Sequence, residues 1–141
     1  MIAKNRSLEV RTLTNPESDE YVSLPVNLTA PINGRITTIL SFQHPSSERD
    51  YIFFTTEAKQ YVVISYCPPM SAVTPNGSNS YNIITHASGN LADFGLGIRG
   101  NEPEMGPMAA LEPNHRCIAL HLYEGFVSIL PIKKTYTYNE E

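Results

Sequence analysis

Apolar and polar positions alternate in short runs along most of this chain. In "HRCIALHLYEGFVSILPI", His115 to Ile132, two apolar, β-branched runs flank the turn-like Tyr123, Glu124 and Gly125, which predicts a β-hairpin. The same plan occupies "DYIFFTTEAKQYVVISY", Asp50 to Tyr66, where "EAK" is the turn. A shorter version is "MIAKNRSLEVRTL", turning near Asn5. Strand-like runs ending in proline precede the two later hairpins: "RITTILSFQHP" before Asp50 and "GPMAALEP" before His115. "YNIITHAS", Tyr81 to Ser88, adds a fourth strand to the middle unit, and "EYVSLPVNL" offers one to the first.

Superimposing the units aligns Pro45 with Pro113, Tyr51 to Thr56 with Cys117 to Leu122, and Gln60 to Ser65 with Gly125 to Leu130. This is an internal repeat. Its turn centres at Asn5, Ala58 and Glu124 are spaced slightly wider than the roughly 40–50 residues of common propeller blades. Four antiparallel strands and a loop, repeated, predict an all-β partial β-propeller of two to three blades. The expected limits are an incomplete blade over 1–30, a complete one over 31–92 and an incomplete one over 93–141. An all-β sandwich is the alternative that the strands alone would permit.

Composition narrows the function classes. The ten Lys and Arg are scattered against fourteen Asp and Glu, with only Lys133 and Lys134 adjacent, so no basic stripe exists to follow a phosphate backbone. The acidic Glu17, Asp19, Glu20, Glu140 and Glu141 read as solvated surface. Cys67 and Cys117 form no C-x-x-C pair and the start lacks a secretory h-region, which suits reduced thiols in nucleus or cytosol. The Asn-x-Ser/Thr triplets at Asn5, Asn27 and Asn76 then have no glycan to accept. No apolar run reaches the roughly 18 residues of a membrane span.

Three constellations suggest chemistry and none holds. Gly95, Gly97 and Gly100 spell G-x-G-x-x-G, but the nearest predicted strand ends near His86, and Pro103, Gly106 and Pro107 forbid the following helix. A pyrophosphate would lack its helix N-terminus, so an inter-blade loop is expected. His115, Cys117 and His121 fall on one face of a predicted strand, yet the two histidines stand roughly 20 Å apart and cannot share an ion. A buried thiol and ordinary polar histidines are expected. His86, Ser88 and Asp93 have the residue types of a hydrolytic triad, but no G-x-S-x-G elbow presents Ser88, which with Asn90 suits a turn or cap. Tyr51, Phe53, Phe54, Tyr61 and Phe126 lie in strand runs, where core packing is favoured over base stacking. No catalytic, cofactor-binding or metal residue is assigned.

"IAKNRSLEV", "DYIFFTTEAKQYVVISY", "IITHASGNLAD" and "LEPNHRCIALHLYEGFVSILPI" together resemble, in order and spacing, the amino-terminal β-propeller of the damaged-DNA-binding protein 1 family. That family includes the large subunits of the splicing factor 3b complex and of the cleavage and polyadenylation specificity factor. Arg116, Ile118, Leu120, Leu122, Tyr123, Glu124 and Gly125 match a pattern that favours the damage-binding branch. The resemblance implies a non-catalytic scaffold, a fragment of a longer cullin-RING ubiquitin ligase adaptor in DNA-damage recognition and repair. Its partners would be the remainder of the propeller, substrate receptors and, through other domains, the ligase. DNA would be met at most indirectly, with no cofactor, membrane or small-molecule substrate, in the nucleus and also the cytoplasm. The alternative is a fragment of a splicing or 3′-end cleavage subunit associated with nucleic acid. The loop Gly95 to Pro107 departs from the family pattern, so no partner-contacting residue is carried over. An open arc exposes strand edges, and the isolated chain is expected to be marginally stable or to self-associate.

Overall fold

A computed structural model describes residues 2–4, 6–11, 26–44, 47–67, 82–92 and 101–133. Ten strands form three antiparallel sheets among them, with no helix. Sheet 1 contains β1 (Ile2–Lys4), β2 (Ser7–Arg11) and β3 (Val26–Pro31). Sheet 2 contains β4 (Ile36–Gln43), β5 (Asp50–Thr56), β6 (Gln60–Cys67) and β7 (Asn82–Asn90). Sheet 3 contains β8 (Met108–Leu111), β9 (Cys117–Tyr123) and β10 (Phe126–Pro131). Within each sheet the strands pair in chain order, as a propeller blade requires. The edge strand β4 lies against β8 on one side and β1 on the other.

Hydrophobic alternation explains the stacking. In β9, Ile118, Leu120 and Leu122 are buried while every other residue is half-exposed, so one face meets sheet 2. β5 instead buries four successive residues, Phe53 to Thr56, because both its faces are covered. Phe53 joins Phe42, Leu91 and the β9 residues in a core between sheets 2 and 3. Phe54 turns the other way and joins Leu8 and Ile64 between sheets 1 and 2. Each such phenylalanine contributes roughly 1.5–3 kcal/mol by leaving water. Sheet 2 is thus the middle layer.

Three sequence expectations need correction. β7 runs to Asn90 rather than ending near His86, because β6 offers it partners along its whole length, from Cys67↔Asn82 to Gln60↔Asn90. The strand expected in "EYVSLPVNL" is β3, which continues past Leu28 to Pro31 in register with β2, from Arg11↔Val26 to Ser7↔Pro31; residues 20–25 lie outside the described ones. β9 begins only at Cys117, since His115 has a left-handed φ of 55° that a strand excludes. The β9–β10 turn uses the expected Gly125, whose φ of +77° suits glycine.

Candidate interaction surface

The sequence expects no working triad from His86, Ser88 and Asp93, and the described residues give the first two other surroundings. Asp93 lies outside the described residues, and Ser88 is an exposed residue paired with Val62. His86 occupies the bulge of the β6–β7 ladder, skipped between Val63↔Ala87 and Ile64↔Thr85. A bulge re-aims its extra side chain, and His86 shares a 2.8 Å hydrogen bond between its Nε2 and Ser65 Oγ. Its ring also meets Tyr51 edge-on at 4.8 Å. Sequence proximity to Ser88 concealed this partner, which comes from the neighbouring strand. Ser65 is fully buried and unsuited to attack a substrate, so the pair cements the sheet 2 surface.

Gly95, Gly97 and Gly100 lie outside the described residues, and from Asn101 to Pro107 a turn replaces any helix. His115 stands apart from Cys117 and His121, which remain on the strand, and the described residues hold no metal-binding cluster. Phe53 and Phe54 are core residues, and Tyr51 stacks on Phe42 while Tyr61 stacks on Phe53. Phe126 departs from the expectation of core packing: it is exposed, beside Val127 and Ile129 on the edge strand β10. Asn5 and Asn76 lie outside the described residues, and Asn27 lies in β3. Among the described residues no helix is long and apolar enough to cross a membrane.

The structure instead assembles two loop clusters that join sheets 2 and 3. At one end, the turn between β8 and β9 is organised by Glu112. Its carboxylate accepts hydrogen bonds from the Asn114 and Arg116 backbone N–H groups at 3.0 and 3.1 Å. The Asn114 amide and the Arg116 guanidinium donate to it from their side chains, at 2.9 Å each to Oε1. These donors, Arg116 first, hold its carboxyl down at a pKa of about 2. The fixed turn carries His115 to β4, where its Nδ1 either donates to the Gln43 carbonyl at 3.0 Å or accepts from the Gln43 N–H at 3.2 Å. Nearby, His44 Nε2–H donates to the Lys133 carbonyl at 2.7 Å.

Between these clamps lies an open polar groove of about 610 Å³. Gln43, His44, Ser47 and Glu48 line one wall and Pro113, Asn114 and His115 the other. At the opposite end, Lys59 forms an ion pair with Glu102, lowering the Glu102 pKa chiefly through that hydrogen bond, and lies 5.6 Å from the Tyr123 ring centroid. Loops on a rigid β scaffold that offer hydrogen-bonding groups can bind a partner. No sequence motif marked this groove, because its two walls are far apart in the chain.

A family model described as "RSE1/DDB1/CPSF1 first beta-propeller" matches residues 1–141. DNA damage-binding protein 1 of Solanum cheesmaniae is 28% identical over 131 residues, 93% of this chain and 11% of the relative. DNA damage-binding protein 1a of Arabidopsis thaliana is 29% identical over 131 residues, covering 93% and 10%. DNA damage-binding protein 1 of Drosophila melanogaster is 29% identical over 134 residues, covering 95% and 10%. The chain therefore spans about a tenth of the length of these curated relatives. With a propeller-like stack of antiparallel sheets and a match across its entire length, the chain belongs to the RSE1/DDB1/CPSF1 first β-propeller family.

Proposed function

We propose that this chain serves as part of a non-catalytic scaffold in a nuclear adaptor of a cullin-RING ubiquitin ligase acting in DNA-damage recognition. The observation that carries this reading is the family match across residues 1–141. The names of the damage-binding relatives support this branch over RNA processing. Blades over 1–30, 31–92 and 93–141 belong to this reading, with β3 of sheet 1 running one residue past the first limit, to Pro31. A scaffold uses loop ends and exposed faces, and both are present. The clamped groove supplies one, while Val127 and Ile129, 65% and 57% exposed, supply the other. Net charge −4 suits an adaptor that leaves DNA to its receptor.

Affinity purification of the tagged natural polypeptide from nuclear extract tests the reading. A cullin and substrate-receptor proteins should co-purify. Spliceosomal or cleavage-factor subunits without a cullin would overturn it in favour of RNA processing.

A further inference from the structure

Residues 32–35 link β3 of sheet 1 to β4 of sheet 2, and the link is tied at both ends. Ile32 N–H donates to the Arg6 carbonyl at 2.9 Å. The Arg35 carbonyl accepts from Glu57 N–H at 2.8 Å, and Arg35 N–H donates to the Glu57 carboxylate at 3.2 Å. Between these ties stands the pair Asn33 and Gly34, with Asn33 exposed. Among the described residues neither the Asn33 amide nor the Gly34 N–H has a hydrogen-bond partner. Gly34 has a φ of +100°, which a residue with a Cβ adopts only under strain, so glycine holds the position and leaves its nitrogen uncrowded. None of the other described asparagines, Asn27, Asn82, Asn90, Asn101 and Asn114, precedes a glycine. Two of them are also held in place: Asn90 Oδ1 accepts from Ala92 N–H at 2.8 Å, and the Asn114 amide donates to Glu112 at 2.9 Å.

We infer that Asn33 is a site of deamidation, through which the chain rewrites its own link between sheets 1 and 2. Hydroxide removes the Gly34 N–H proton, and the nitrogen attacks Asn33 Cγ. The N–Cγ bond of a succinimide forms as the Cγ–Nδ2 bond breaks, and ammonia leaves with a proton taken from water. Water then adds to either imide carbonyl. Breaking the new N–Cγ bond gives aspartate; breaking the original peptide C–N bond gives isoaspartate, whose main chain runs on through Cβ and Cγ. Water is consumed and ammonia released, with no change of oxidation state. Rotation about the Asn33 side-chain bonds brings Cγ to the nitrogen, since no hydrogen bond holds the amide away. Both products carry a new carboxylate, and the isoaspartyl form also lengthens the main chain between the Arg6 and Glu57 ties. Sheet 1 then loosens from sheet 2.

Ageing of the natural polypeptide in buffers from neutral to mildly alkaline pH tests the inference, read by fragment-level mass spectrometry and by labelling with protein isoaspartyl methyltransferase. Asn33 should show the mass change of amide to acid, in aspartyl and isoaspartyl forms. Its rate should rise in proportion to hydroxide and match that of the same chain in urea, while Asn27, Asn82, Asn90 and Asn114 stay unchanged. Gly34→Ala should slow the reaction in urea as well as in buffer, which separates crowding at the nitrogen from any disturbance of the fold. In the isoaspartyl fraction the Ile32 and Glu57 amide protons should exchange severalfold faster, an effect absent from aged Asn33→Gln. Conversion of Asn33 in urea but not in the folded protein would overturn the site, because the fold would then protect it. Conversion with unchanged exchange at Ile32 and Glu57 would overturn the loosening of sheet 1.

Discussion

Thr55 and Thr56 are neighbours on β5, both buried, with hydroxyls in opposite situations: one is doubly bonded and the other has no partner. Thr56→Val should therefore raise the free energy of unfolding by about 1–3 kcal/mol, measured by urea denaturation. A loss of stability would show that the hydroxyl has a partner in solution. Glu112 makes the complementary prediction. Its folded pKa of about 2 lies below the ordinary 4.5, so ionised Glu112 favours the ordered turn. That contribution is complete above about pH 4.5 and is lost as pH falls through 2. The Asn114 and Arg116 amide resonances should report a Glu112 titration midpoint near 2, absent in Glu112→Gln; a midpoint at 4.5 would refute the clamp.

Strand alternation made most elements legible, because each hairpin has its apolar runs and turn residues in one continuous stretch. The expectations failed where pairing partners decide. β7 extends to Asn90 because β6 continues beside it, and His86 finds Ser65 through a bulge that periodicity cannot signal. The groove was hidden because it joins Gln43 to His115 across sheets. Gly89 shows how tightly pairing binds β7: it sits opposite Tyr61, and an added Cβ would lie 2.6 Å from that ring. Gly89→Ala should move Tyr61 off Phe53 and cost about 1–3 kcal/mol in denaturant unfolding. An unchanged midpoint would mean that the ring yields freely.

At the scale of the molecule, among the described residues only sheet 2 has both faces built into apolar cores. Sheet 3 places Ile118, Leu120 and Leu122 inward, while Met108, Val127 and Ile129 remain exposed. An edge strand with apolar, uncharged residues pairs readily with other chains. If this arc works by being covered by other protein, its bare faces should associate, and sedimentation velocity of the isolated 141-residue chain over a wide concentration range measures that. Concentration-dependent association is expected, reduced by Val127→Lys with Ile129→Lys. A stable monomer at every concentration, with a sharp, concentration-independent unfolding transition, would contradict it.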